Sequence, residues 1–496
     1  MRPFFWPAAG VLLIAAGLLA GTSAASGQCL GTETFKLFAS DAQPDTMFGF
    51  TLAASGGEAV VLTFFDAPRA AYFFRDGETG WVEEVKLMPS SGGFNNAATI
   101  DSGFAAIGGT GGREETGSVF VYRYDGATWC EQVQLVGADS AAGDVFGAAV
   151  SLSGDTLLVG ATGDDDNGAD SGAAFVFQYD GVAWVQEAKL LPSDGSANQF
   201  FGSCVALSGD TAVVGCYWDS DRTGAAYVFR RDGAAWGEEV KLVASDGAPG
   251  DGFGNAIAVE GDVVIVGAPG DDENGYDSGS AYVFRFDGLS WAEEARLLPA
   301  DGAMWDHFGE SVDVGDGIAV VGMPRDDDNG NKSGSAYVFG WEGAAWVEQA
   351  KLFAADAEAK DFFGWSLGLC GETALVGVSR DDNNGDNAGS VCVFRGLSDC
   401  NENAVLDLCD IADGTSEDAN GNGVPDECEP LGGLGDLNCD GHVDFDDINP
   451  MVLALQDEAA YSESFPDCTW LYADCNEDGV VNDADIAAFV SLLGTR

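Results

Sequence analysis

The pattern of apolar and polar positions is clearest in the fourth of seven similar units. Val205–Ser208 and residues 212–215, 226–230 and 237–242 are short runs in which β-branched, aromatic and small residues alternate or cluster. Such runs predict strands, and no stretch of the unit carries a helical period. Two of the connections are tight. In the third unit Ser153, Gly154 and Asp155 join the first two strands, and Asp180 with Gly181 joins the last two, both with hairpin chemistry. The other two connections are long and acidic. A four-stranded unit puts its tight turns on one face and its long loops on the other, so the long-loop face is the predicted working face.

The unit repeats. Phe-Gly pairs begin at Phe48, Phe146, Phe201, Phe253, Phe308 and Phe363, with a degenerate copy at Phe94. A basic or amide residue followed by Leu recurs at Lys36, Lys86, Gln134, Lys189, Lys241, Arg296 and Lys351. Spacings of roughly fifty residues are the mark of propellers and solenoids. The seventh unit ends after its third strand, near Phe394, whereas the chain opens with Phe35, Lys36 and Leu37, which fit the missing fourth. The N-terminal strand is therefore expected to complete the last blade and remove two sheet edges. Trp81, Trp129, Trp184, Trp236, Trp291 and Trp346 mark the other fourth strands and are expected to pack blade against blade. The predicted fold is mainly β: a seven-bladed β-propeller over residues 29–396, followed by a small α-helical, EF-hand-like module.

Segments such as FGNAIAVEGDVVIVGAPGDDENGYDSGSAYVF, beginning at Phe253, resemble the FG-GAP repeats of integrin α chains. The family's calcium loop between first and second strands has no counterpart here, because only Ser-Gly-Asp turns stand there. The acidic loops lie instead between second and third strands. They run through Asp164, Asp165, Asp166, Asn167 and Gly168 and recur at 271–275, 326–330 and 381–385, with a shortened form at 219–221. These oxygen-rich loops read either as cation ligands or as solvated Asx turns. His307, beside Phe308, reads as a loop variant.

After Gly396 the Trp-marked strands stop. Asp418, Asn420, Asn422, Asp426 and Glu429, with Gly423 at the turn, occupy calcium-loop positions. With Cys400, Cys409 and Cys428 nearby, residues 397–435 resemble thrombospondin type 3 repeats and a linker. A weaker first copy holds Asp399, Asn401, Asn403 and Asp410. Then Asp436, Asn438, Asp440, Gly441, His442 (through its carbonyl) and Asp447 take positions 1, 3, 5, 6, 7 and 12 of a calcium loop. The set returns as Asp474, Asn476, Asp478, Gly479, Val480 and Asp485. Alternate positions point inward around an ion and Gly permits the sharp turn, so the spacing has a physical cause and Ca²⁺ is the predicted cofactor. Ile448, Met451, Val452 and Leu455 recur as Ile486, Phe489, Val490 and Leu493, predicting two short helices whose apolar faces pack together. Residues 436–496 resemble a type I dockerin, which implies a cohesin-like partner. The recognition positions hold Phe445 and Asp446, then Asp483 and Ala484, without the family's usual hydroxyl pair.

Composition narrows the function. The chain of 496 residues has 82 acidic against 21 basic residues, a net charge of −61, which repels nucleic acid and anionic lipid. Residues 1–28 read as a signal peptide, with Arg2 before an apolar stretch and small residues after it. No later run is long enough to span a bilayer. The protein is thus expected to be secreted or extracytoplasmic, and attachment to a cell surface is consistent with its tail. Its 12 cysteines favour disulfides. Laying the last unit over the fifth sets Cys29 beside Cys400 as a clasp, the alternative being that Cys400 pairs with Cys409 or Cys428. Only two histidines exist, His307 and His442, which excludes a His-rich centre. No catalytic residue is assigned. The leading reading is a non-catalytic binding, adhesion or scaffold protein that meets an extracellular protein or glycan through its loop face. The alternative is a dockerin-tethered extracellular enzyme acting on polysaccharide.

Overall fold

A computed structural model describes residues 29–400, apart from 32, 65–68, 78–79, 110–115 and 234. Beyond them it describes 405–416, 447–456, 470–473, 485–492 and isolated residues between those segments. The strands form seven sheets, each with four antiparallel strands, and these are the blades of a β-propeller. Blade 1 is Thr51–Ser55, Glu58–Leu62, Ala71–Gly77 and Gly80–Leu87, and blade 4 is Val205–Ser208, Thr211–Cys216, Ala225–Asp232 and Ala235–Leu242. The expected runs of blade 4 are recovered, extended by one or two residues where the ladder continues past the apolar pattern. First strands face the centre, where they line a channel of about 400 Å³.

The Phe-Gly pair is the seam between blades. Phe201 is fully buried and bridges in parallel to Gly172, at the end of the preceding blade's long loop. A Cβ on Gly172 would stand 2.1 Å from the Phe201 carbonyl oxygen, so only Gly admits this approach. The Phe201 ring then meets Tyr227 edge-on, with centroids 5.4 Å apart. The tryptophans form a second seam. Trp129, Trp184, Trp291 and Trp346 are buried and Trp236 is half-buried. Each indole N–H donates to the preceding blade: Trp129 to Glu84, Trp184 to Gln132, Trp236 to Glu187, Trp291 to Glu239 and Trp346 to Glu294, at 3.0–3.2 Å.

One hairpin differs from expectation. Asp180 and Gly181 do not make a two-residue turn: Tyr179 pairs with Trp184, leaving a four-residue loop. The Asp180 carboxylate accepts the N–H groups of Val182 and Ala183, and these bonds hold its pKa below the usual carboxylate range. The side chain closes the hairpin together with the Asp180 N–H, which donates to the Ala183 carbonyl at 3.0 Å.

Closure occurs as expected and adds one strand. β2 (Phe35–Leu37) pairs antiparallel with Ser390–Phe394 and completes blade 7. β1 (Cys29–Gly31) lies parallel to Trp346–Leu352 as a fifth strand on blade 6. A helix, α1 (Asp407–Asp413), packs on β1: a Cβ on Gly31 would fall 2.5 Å from Leu408 Cδ1. Leu406 and Leu408 join Ala350 and Leu352 in one apolar cluster. The Cys29–Cys400 clasp is not formed, because Cys400 is bonded to Cys428 with a Cα separation of 5.8 Å. Overlaying the seventh unit on the fifth places Cys29 on blade 7, whereas β1 has crossed to blade 6. Two further helices are α2 (Ile448–Gln456) and α3 (Ile486–Leu492). No described helix is long and apolar enough to cross a membrane.

Candidate functional site: the long-loop face and the C-terminal loops

The acidic loops of the propeller turn their first carboxylate inward. Asp164, Asp219, Asp271, Asp326 and Asp381 are buried, and each meets the basic residue of a fourth strand. Lys189–Asp164 is 2.7 Å, Lys241–Asp219 2.7 Å, Lys351–Asp326 2.8 Å, and Lys36–Asp381, across the closure, 2.7 Å. Arg296 does the same for Asp271. Burial opposes the charge of Lys189, but hydrogen bonds to Asp164, Asp166 and Asp139 outweigh it and raise its pKa. The remaining oxygens close the loop as Asx turns. Asp164 Oδ1 accepts the Asp166 N–H at 3.1 Å, and Asp165 Oδ1 accepts that of Asp170 at 2.8 Å. The two periodic signals, basic-Leu and the Asp cluster, are thus halves of one ion pair. Their shared period was the cue in the sequence.

A second carboxylate stands beside the first in four blades. Asp144, Asp251, Asp306 and Asp361 are buried, and each accepts a loop N–H, Asp306 from Ala303 and Asp361 from Glu358, both at 2.7 Å. Burial pushes the carboxyls of Asp306 and Asp361 up to about 6. Their backbone bonds offset part of this, while the neighbouring carboxylates add to it, Asp326 for Asp306 and Asp381 for Asp361. Blade 4 has Gln199 instead, and its amide donates to Asp219 Oδ1 at 2.6 Å.

Beside its exposed outer carboxylates, this face offers aromatic side chains to solvent. Trp218, Tyr276 and Trp305 are exposed, Tyr276 lies 4.5 Å from Trp305 between centroids, and Arg222 caps Trp218 at 5.0 Å. Residues just before the Phe-Gly pairs, including Met47, Val145, Phe200, His307 and Phe362, hold φ between 52° and 59°. A left-handed backbone at non-Gly residues costs energy, and the packed seam behind them holds it in place.

In the C-terminal loops, Asp418, Asn438, Asp447 and Asp485 are described. Asp436, Asp440, His442, Asp474, Asn476, Asp478, Val480, Asn420, Asn422, Asp426 and Glu429 lie outside the described residues. Asp447 and Asp485, both at position 12, are fully buried. Asp447 Oδ1 accepts the N–H groups of Leu437 and Asn438 at 2.7 and 3.1 Å, folding the end of the loop over its beginning. Asp485 Oδ2 accepts the Asn482 N–H at 2.8 Å. A buried carboxylate turned back over its own loop, with a hard-oxygen donor set, fits a calcium site. Another cluster does not: Cys400, Cys428 and Asp407 converge, but the two sulfurs are bonded to each other.

The helices correct one expectation. Met451 and Phe489 are buried with Leu437, Ala454, Tyr461 and Val481, but Ile448, Val452, Ile486 and Val490 are exposed. Burial of Asp447 and Asp485 sets the rotation of each helix, so the buried stripe runs through 447, 451 and 454 and leaves the flanking apolar positions outside.

The FG-GAP repeat model matches at residues 129–177, 184–229, 236–284, 291–339 and 346–394. The five matched stretches are FG-GAP repeats. Each match begins at a fourth-strand Trp and ends in the third strand of the next blade, so one FG-GAP unit spans one seam. The region before Trp129 folds into blades of the same design without being matched. No curated protein matches the chain.

Proposed function

We propose that this FG-GAP protein is an exported, calcium-binding, non-catalytic binding or adhesion protein. Its propeller meets an extracellular protein or glycan through the long-loop face, and its dockerin-like tail attaches it to an assembly or surface. The observation that carries this reading is the division of labour on that face. The first carboxylate of each acidic loop is buried in an internal ion pair and the loop acids beside it close turns, while Trp218, Tyr276 and Trp305 stand exposed. Exposed aromatics on loops held by a rigid scaffold are contact residues. Asp306 and Asp361, whose raised pKa would suit acid–base work, are instead buried and bonded to backbone. The tail's exposed Ile448, Val452, Ile486 and Val490 supply an apolar surface for a cohesin-like partner.

The full chain, probed on glycan and protein arrays with calcium and with chelator, tests both halves. Trp218→Ala with Trp305→Ala is expected to lower propeller-dependent binding at least tenfold. Asp440→Ala with Asp478→Ala is expected to abolish calcium uptake by the tail and leave the propeller's ligand untouched. Array binding indifferent to the tryptophans would remove the face assignment, and turnover of a bound polysaccharide would move the protein to the enzyme class.

A further inference from the structure

One sector of the long-loop face breaks the repeat. Before the acidic loop, blades 3 and 5 carry Gly163 and Gly270, whereas blades 6 and 7 carry Arg325 and Arg380. After the Phe-Gly pair, blades 3, 4 and 5 carry Ala148, Ser203 and Asn255, whereas blades 1 and 7 carry Phe50 and Trp365. A repeat maintained for packing has no reason to vary in this concerted way at one place. The exceptions meet in space. Phe50, Phe64, Phe362 and Trp365 wall a cavity of about 300 Å³. Arg325, Lys332 and Arg380 also line it, and among the described residues no Asp or Glu does.

The walls are ordered. Phe50 lies 4.3 Å from Phe64 and 5.5 Å from Trp365 between centroids, and Phe362 meets Trp365 edge-on. The Arg380 guanidinium sits 5.0 Å from the Phe362 centroid. Arg325 donates to His307 Nε2 at 3.0 Å, which places the imidazole proton on Nδ1, 3.4 Å from Glu310 Oε2. That chain orients one guanidinium without neutralising it. Lys36, Lys189, Lys241, Arg296 and Lys351 are all ion-paired, whereas Arg325, Lys332 and Arg380 form no salt bridge among the described residues. In a chain of net charge −61, three such cations around one cavity with no acid among its described lining run against the composition. Their mutual repulsion is relieved by an anion.

We propose that this cavity binds a carboxylate carried on a six-membered ring, with Arg325 and Arg380 on the carboxylate and the ring against Phe50, Phe64 and Trp365. Guanidinium forks match a carboxylate in two-point contact, and aromatic walls accept either the C–H face of a sugar or a flat aromatic ring. The volume, at the low end for ligand pockets, suits a single ring. The shared chemistry has two sources, a uronic-acid sugar and an aromatic carboxylate. The inference deepens the binding reading above, but it rests on a different sector from Trp218 and Trp305, so either can fail alone.

Calorimetric titration of the full chain with glucuronate, glucose, benzoate and inorganic phosphate tests it. Glucuronate or benzoate is expected to bind at least tenfold more tightly than both glucose and phosphate, and whichever of the two binds identifies the source. Arg325→Gln with Arg380→Gln should abolish that binding with the thermal midpoint preserved. Lys332→Gln, on an outer loop, should weaken it several-fold and serves if the double variant misfolds. Phe50→Ala should weaken the ring ligand and leave any phosphate signal unchanged. Equal binding of phosphate, or ring binding indifferent to the arginine and lysine changes, would overturn the proposal.

Discussion

Asp306 and Asp361 show how a single side chain couples this fold to pH. Their carboxyls titrate near 6 in the folded protein, above an unfolded value near 3.8, because burial disfavours the charge. The folded state therefore holds more protons than the unfolded state between those values. Their stabilising contribution is full below the unfolded pKa and is lost as pH rises through about 6. Asp301, paired with Lys351, acts in the opposite sense. Burial opposes ionisation of Asp301, yet Lys351 and Tyr337 hold its pKa down, so its contribution is present at neutral pH and lost in acid. The thermal midpoint is expected to rise from pH 7.5 toward pH 5 and to fall again below pH 4. Asp306→Asn with Asp361→Asn should flatten the upper limb and stabilise the protein at pH 7.5, on the order of 1 kcal/mol per site. Gln199 on Asp219 already shows a neutral amide working at that position. A midpoint that falls steadily from pH 7.5 to pH 5 would refute the assignment. None of this was legible in the sequence, where Asp306 sits in an ordinary loop and only the fold sets it beside Asp326.

Strands and seams were far more legible than helices. A period of two, broken by Gly and Asp, located all four strands of blade 4, because a half-buried ladder enforces alternation residue by residue. The C-terminal helices carry too few residues for their period to select a face. Ile448 and Val452 were read as core, and the buried Asp447 rotated them outward. The indole latch was half legible: the tryptophans pointed to packing, but their acceptors sit on the preceding blade. That latch is missing once. Trp81 packs against blade 7, where Thr34 stands level with Glu84, and the buried Trp81 N–H has no hydrogen-bond partner among the described residues. Thr34→Glu is expected to supply the acceptor and stabilise the propeller by about 1 kcal/mol. Unchanged stability on denaturant melting would show that the seam has relaxed around the gap.

At the scale of the molecule, the ring is held by pairing and docking rather than by the expected clasp. β2 completes blade 7, β1 extends blade 6, and α1 rests on β1 through Leu408 against Gly31. Peptide mapping of the oxidised protein is expected to return Cys400 linked to Cys428. A peptide joining Cys29 to Cys400 would reinstate the clasp. The closure itself was legible, because an unfinished seventh unit and an orphan fourth strand fit only one another. The crossing of β1 to blade 6 was not, since three residues without periodicity carry no address.

That closure fixes an order in time. Phe35–Leu37 is synthesised before the strands of blades 1 to 6, and its partner, Ser390–Phe394, is the last strand of the propeller to be made. Six blades can assemble from near neighbours as they appear, but the seventh must wait for both ends. The cost of joining distant ends grows only slowly with length, so the penalty is delay more than free energy. During that delay blade 7 presents the open edge of Ser390–Phe394 and β2 is unattached. Two nascent chains at high local concentration could then exchange first strands and emerge as a linked pair with every seam satisfied.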